Sequence, residues 1–287
     1  MSGTVPSPVP MPFTHGAREV TLAGDRWDGA APPVLMLHGG GQTRHSWDRT
    51  ARRLAADGRA AITLDARGHG DSEWHPDGDY SIDGLVEDLL GFVATLDAPP
   101  VLVGASMGGM TSLVACGENP GLAAGIVLVD VAVQVESKGV RRILDFLAAH
   151  RDGFGSLEEV AAVIAEYNPH RPPSENLDGL RKNVRQRDDG RWYWHWDPRF
   201  VDIPDEARRT ASVERLERAA RSLDVPVLLV RGGSSDVLTP EGAEHMLSLV
   251  PSAELADVSG TGHMLVGDDN DVFSTKLDAF LQRVAAA

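Results

Sequence analysis

The sequence predicts an α/β fold, a mostly parallel central sheet with helices on both faces and a helical segment inserted into it. Three observations carry that prediction. Short apolar runs at 34–37, 60–64, 101–103, 126–129 and 227–230 alternate with stretches of helical periodicity. Runs apolar at every position suit strands buried on both faces, as in parallel sheets covered by helices. The alternation then breaks between Asp130 and Val225, where 131–224 carry helical patterns and no convincing strand.

Taken in order, 1–15 read as a Pro-rich tail and 18–22 as a short strand. The turn Ala30-Ala31-Pro32-Pro33 leads into the strand at 34–37, which ends at His38-Gly39-Gly40-Gly41. A helix is expected at 47–56 and a strand at 60–64, closed by Asp65. Ser81 is placed to cap a helix whose apolar face is Ile82, Leu85, Val86, Leu89, Val93 and Leu96. In the insertion, Val140, Ile143, Leu144 and Leu147 mark one helix, and Ser156-Leu157-Glu158-Glu159 is a capping box opening another. Weaker helical patterns follow at 180–184 and 207–223. Strand and helix order then resumes at 227–232, 240–249 and 254–258, and a last helix turns Phe273, Leu277, Phe280 and Leu281 inward. The body is thus 1–130 with 225–287, and 131–224 form an inserted helical lid.

Composition narrows the function classes. A chain of 287 residues with 42% hydrophobic and 24% charged residues suits a globular protein with a sizeable core. A net charge of −15 argues against nucleic acid and anionic membrane surfaces as partners. Cys116 is the single cysteine, so no intrachain disulfide forms. No basic or apolar leader and no run of ~20 apolar residues is present, which sets the expectation of a cytoplasmic protein without a membrane span.

The chemistry centres on Gly104-Ala105-Ser106-Met107-Gly108-Gly109. A buried strand stops at Gly104 and a helix starts at once, with Met110, Leu113 and Val114 at helical spacing. Ser106 sits at the corner between them. Small neighbours let the chain turn there, and the first amides of the helix are left to face negative charge. A serine hydroxyl needs a base, and His263 in Ser259-Gly260-Thr261-Gly262-His263 follows the last strand where a loop can fold back over it. The imidazole needs an acid: Asp236, in the turn-rich loop after the strand at 227–230, is the candidate, with Asp130 its rival. The Met107 amide, next after the nucleophile, is a candidate donor to the oxyanion. Trp192, Trp194 and Trp196 in the insertion either line an apolar pocket or anchor the insertion. No spacing of His, Cys or carboxylates implies a metal, and no cofactor motif occurs.

His38-Gly39-Gly40, Asp65-Ala66-Arg67-Gly68-His69-Gly70-Asp71-Ser72, the Ser106 corner, Asp236 and His263 occur in an order that resembles the α/β-hydrolases. The likeness is to the grouping of lidded esterases, cofactor-free haloperoxidases and epoxide hydrolases. It implies the Gly40 amide as the second oxyanion donor and a structural role for the segment from Asp65 to Ser72. Epoxide hydrolases place a carboxylate where this chain has Ser106, which counts against that activity. The implied activity is a serine hydrolase acting on a small apolar carboxylic ester, lactone or thioester through an acyl-enzyme. Perhydrolysis and carbon–carbon bond hydrolysis use the same triad and stay open, as does a small-molecule receptor with residual activity.

Overall fold

The computed structural model describes residues 8–167, 177–202, 212–258 and 271–286. Its eight-stranded sheet comprises β1 (Met11–Gly16), β2 (Thr21–Trp27), β3 (Ala30–Leu37), β4 (Arg59–Leu64), β5 (Val101–Ala105), β6 (Gly125–Val129), β9 (Val227–Gly232) and β10 (Glu254–Val258). The spatial order is β1-β2-β4-β3-β5-β6-β9-β10. β1, β2 and β4 pair antiparallel, and every pairing from β4 to β10 is parallel. The parallel strands therefore all end at one edge, where ligands of such sheets bind.

Two apolar layers flank the sheet. On one face Leu35, Leu102, Ile126 and Leu229 pack against α2 (Ile82–Val93) and α3 (Met107–Glu118). On the other, Met36, Val103, Val127 and Val230 meet α1 (Asp48–Ala56) and α8 (Asp271–Ala286). Alternate residues of one strand thus enter opposite cores, which is why these strands read as unbroken apolar runs. Ser81 caps α2 as expected, its hydroxyl accepting from the Gly84 amide at 3.2 Å.

Four expectations are corrected. The Pro-rich start contributes a strand, β1, held by Phe13 stacking on Phe92 at 5.6 Å. The strand expected at 18–22 runs instead as β2, Thr21–Trp27. The insertion is also not free of strands. Between α4 (Ser137–Ala148) with α5 (Leu157–Tyr167) and the return to the sheet, β7 (Val184–Gln186) pairs antiparallel with β8 (Trp192–Trp194). The helical turn expected at 180–184 is a 3-10 helix at Leu177–Lys182 that ends where β7 begins. At Ser156 the first half of the capping box forms, Ser156 Oγ accepting from the Glu159 amide, while the Glu159 carboxylate reaches one residue further back and accepts from the Gly155 amide at 2.6 Å.

The insertion has its own apolar cluster, built on Leu147, Phe154, Val160, Trp194 and Trp196. Its last helix, α6 (Val213–Arg221), differs. Leu216, Ala219 and Ala220 belong to the core of the body, with α6 lying on α3. Regular order then resumes with α7 (Pro240–Leu249) between β9 and β10.

Candidate active site

Ser106 stands at the carboxyl edge of the sheet with backbone angles of φ 45° and ψ −111°, a conformation that costs a residue with a side chain about 1–3 kcal/mol. The tight corner explains the strain. The Ser106 amide still donates to the Val129 carbonyl of β6 at 3.1 Å, while its carbonyl already accepts the Met110 amide inside α3 at 2.9 Å. Small neighbours are obligatory. A Cβ on Gly104 would lie 2.4 Å from the Gly108 carbonyl oxygen, and one on Gly108 would lie 2.5 Å from that of Leu37.

The loop after β3 lies against this corner: a Cβ on Gly39 would sit 3.4 Å from Cβ of Ser106. Both flanks of Gly40 are tied down. The Gly39 amide donates to Gln42 Oε1 at 2.9 Å, and the Gly39 carbonyl accepts from His38 Nδ1 at 2.8 Å. The Gly41 amide donates to His69 Nε2 at 3.1 Å, and the Gly41 carbonyl accepts from His195 Nε2 at 3.3 Å. Between them the Gly40 amide has no acceptor among the described residues, and the Met107 amide at the start of α3 has none either. Two donors beside a strained serine suit an oxyanion, which needs preorganised N–H groups.

The three imidazoles that brace this loop are buried and neutral. Each accepts a backbone amide on one nitrogen: Ala66 on His38 Nε2 at 3.0 Å, Gly41 on His69, and Gly70 on His195 Nδ1 at 2.7 Å. Each then donates from the other nitrogen to a carbonyl. Burial pushes the pKa of His38 down to about 4 and that of His69 to about 3, and lowers that of His195. His38 is thus a structural residue shaping the loop. The braces His69 and His195 were not singled out in the sequence, although His69 lies in the 65–72 segment and His195 between two of the tryptophans.

That segment is a buried scaffold. Asp65 is fully buried and accepts from the Arg44 guanidinium, the Arg44 amide and the Asp71 amide. Arg67 makes two bonds to Asp88, at 2.6 and 2.8 Å.

The two candidate acids sit very differently. Asp130, 1% exposed, ends β6 and accepts from the Gly232 amide at 2.9 Å and from Ser235 Oγ at 2.5 Å. Asp236 has a side chain 47% exposed and pairs with Arg142 of α4 at 2.9 Å. His263 lies outside the described residues.

Trp194 and Trp196 are stacked, with centroids 4.8 Å apart, and line a cavity that reaches Ser106. Trp192 is not in that lining and lies under the Arg181 guanidinium at 4.9 Å. Lining and anchoring are therefore the same act for Trp194 and Trp196, which also belong to the apolar cluster of the insertion. Among the described residues Asp25, His45 and Asp48 bring potential metal ligands together, yet Asp25 is paired with Arg44 and Asp48 with Lys182, each at 2.8 Å. Also among the described residues, no helix is long and apolar enough to cross a membrane.

Comparison with known proteins agrees with the fold. Residues 32–269 match the family model described as alpha/beta hydrolase fold. The chain is 31% identical over 240 residues to "Esterase Rv0045c" of Mycobacterium tuberculosis, covering 81% of this chain and 76% of that protein. It is 26% identical over 269 residues to the mouse "sn-1-specific diacylglycerol lipase ABHD11", covering 88% and 82%. Among solved structures, that of E-2-(acetamidomethylene)succinate hydrolase superposes with a TM-score of 0.82 at 23% identity, over 96% of this chain and all of the other. A family model that spans most of the chain and a relative of 31% identity agree, and this chain belongs to the alpha/beta hydrolase fold family.

Proposed function

We propose that this chain is a serine esterase, cleaving a carboxylic ester of an apolar small molecule through an acyl-enzyme. The observation that carries the reading is Ser106, strained at the sheet edge beside two amides, of Gly40 and Met107, that have no acceptor among the described residues. The names of the esterase and lipase relatives support the same bond type.

In the proposed mechanism Ser106 Oγ attacks the ester carbonyl and passes its proton to His263. The oxyanion is held by the amides of Gly40 and Met107, and His263 returns the proton to the departing alcohol. Water, deprotonated by His263, then attacks the acyl-enzyme and releases the acid. A carboxylate must hold the His263 tautomer and stabilise the imidazolium. Asp130 has the support of burial and of two hydrogen bonds that fix its carboxylate next to the Ser106 strand. Asp236 is the second candidate, favoured by the loop that carries it beyond β9, and its carboxylate would first have to leave Arg142. The insertion acts as a lid over Ser106, with α4, α5, Trp194 and Trp196 as its inner wall.

Labelling with a fluorophosphonate followed by peptide mass spectrometry tests the reading. Modification at Ser106, with ester turnover abolished in Ser106→Ala, is the expected result. Labelling at another serine, or turnover surviving in Ser106→Ala, overturns it.

A further inference from the structure

Ser106 opens onto two chambers. The larger, about 670 Å³, is walled by Met110 of α3, Val133 and Val135 beyond β6, Leu144 of α4, and Val213 and Leu216 of α6. The smaller, about 290 Å³, runs over Gly41 beneath Phe146, Tyr167, Trp194 and Trp196, with Gln42 and Asn183 on its wall. Besides Ser106, the α4 residues Ile143 and Leu147 border both chambers and so form the partition between them.

Charge distinguishes the chambers further. The charged side chains among the described residues lining the larger one are Glu136 and Glu241, both acidic. In the smaller one the cation is Lys182, which sits 2.8 Å from Asp48. An anionic group entering the larger chamber would lose its hydration and meet like charge, with no cation on the described wall to offset either cost. An alkyl chain there is favoured, at about fourfold in affinity per buried methylene.

We propose that the substrate is a neutral ester with an extended apolar acyl chain lying in the larger chamber, held apart by Ile143 and Leu147 from a compact alcohol group in the smaller one. This rests on the serine-esterase reading above. It also separates this chain from a hydrolase of carboxylate-bearing substrates, the kind that the name of the succinate hydrolase relative describes.

The test compares p-nitrophenyl acetate, p-nitrophenyl octanoate and the p-nitrophenyl monoester of suberic acid, which carries a carboxylate at the end of a chain of the same length. The octanoate should exceed the acetate in kcat/KM by about tenfold or more, and the suberate should fall below the octanoate by about the same factor. Leu144→Trp and the surface-proximal Val213→Trp should each reduce the octanoate-to-acetate ratio about fivefold, whereas Ile164→Trp, in the smaller chamber only, should leave it in place. A ratio unmoved by both of the first two changes, or suberate turned over as well as octanoate, overturns the proposal. Binding of the neutral dye N-phenyl-naphthylamine separates this outcome from failure of the esterase reading. Dye taken up by the wild type and excluded by Val213→Trp supports the apolar chamber even without ester turnover, and no uptake by the wild type overturns it.

Discussion

Ser106 and Asp130 occupy the same rung of neighbouring strands, one residue beyond the Ala105–Val129 register pair of β5 and β6. Both have left-handed backbones, with φ of 45° and 50°. The Ser106 amide reaches back to Val129 at 3.1 Å, and the Asp130 amide reaches across to Val230 at 2.7 Å. The two strands therefore end together, each turning sharply into the site, and deliver a hydroxyl and a carboxylate to one edge.

The strained corner predicts a gain in stability where function is removed. Ser106→Gly relieves a positive φ that a Cβ resists, so it should raise the melting temperature or leave it unchanged while ester turnover falls to background. Thermal melts of wild type, Ser106→Gly and Ser106→Ala measure this. A clear loss of stability in Ser106→Gly would mean the corner is not strained.

The imidazole braces predict acid sensitivity that sets in above the carboxylate range. His38 and His69 have folded pKa values of about 4 and about 3, against about 6.5 in an unfolded chain. Between those values the unfolded state binds protons that the folded state refuses, so stability falls as pH drops below about 6.5 and is fully present above it. Urea melts across that range should show the slope. His69→Gln keeps a donor and an acceptor without a titrating ring and should flatten it. An unchanged slope in that variant would assign the acid sensitivity elsewhere.

The tryptophans separate into two classes. Trp194 and Trp196 are 8% and 3% exposed, stacked on each other and on the cavity wall, so replacing either by Ala should cost about 3 kcal/mol or more and also shift ester selectivity. Trp192, outside the cavity and under Arg181, should cost only about 1 kcal/mol and leave selectivity as it was. Chemical denaturation and kcat/KM ratios over an ester panel give both readouts.

Much of this architecture was legible because the strands of a doubly covered sheet are apolar throughout. Runs such as 101–103 and 126–129 stand out against amphipathic helices, and the Ser106 corner stands out by its glycines. What escaped was made of shorter or subtler signals. β1 hides its inward residues Phe13 and His15 in a Pro-rich stretch, where the two-residue alternation was present but short. The hairpin of β7 and β8 has three residues a strand, too few for a period to show, and Phe154 extends it by a backbone bridge to Trp192. The bracing roles of His69 and His195 depend on backbone atoms far away in sequence, which no local pattern reveals.

The last prediction concerns the acid. Asp236 holds Arg142 in an ion pair whose two side chains are nearly half exposed, and such a pair contributes about 0–1 kcal/mol. Asp130 is buried, and its carboxylate is oriented by Gly232 and Ser235. If Asp130 orients His263, Asp130→Asn should lower kcat by about 10⁴, by analogy with the loss of the orienting acid in serine proteases. Asp236→Asn should then lower it by about tenfold or less, through a looser α4, and Arg142→Gln should reproduce that small effect because it breaks the same pair. If Asp236 is the acid, the two variants diverge: Asp236→Asn loses about 10⁴ and Arg142→Gln does not, since freeing the carboxylate favours its bond to His263. Kinetics at equal folded fraction decide between them, and the pH profile of Ser235→Ala adds a second check. That substitution removes the 2.5 Å bond to Asp130 together with the bonds that Ser235 Oγ accepts from the Val237 and Leu238 amides at 3.1 and 3.2 Å, so a shifted pH profile of kcat in Ser235→Ala points to Asp130 where Asp236→Asn leaves that profile in place.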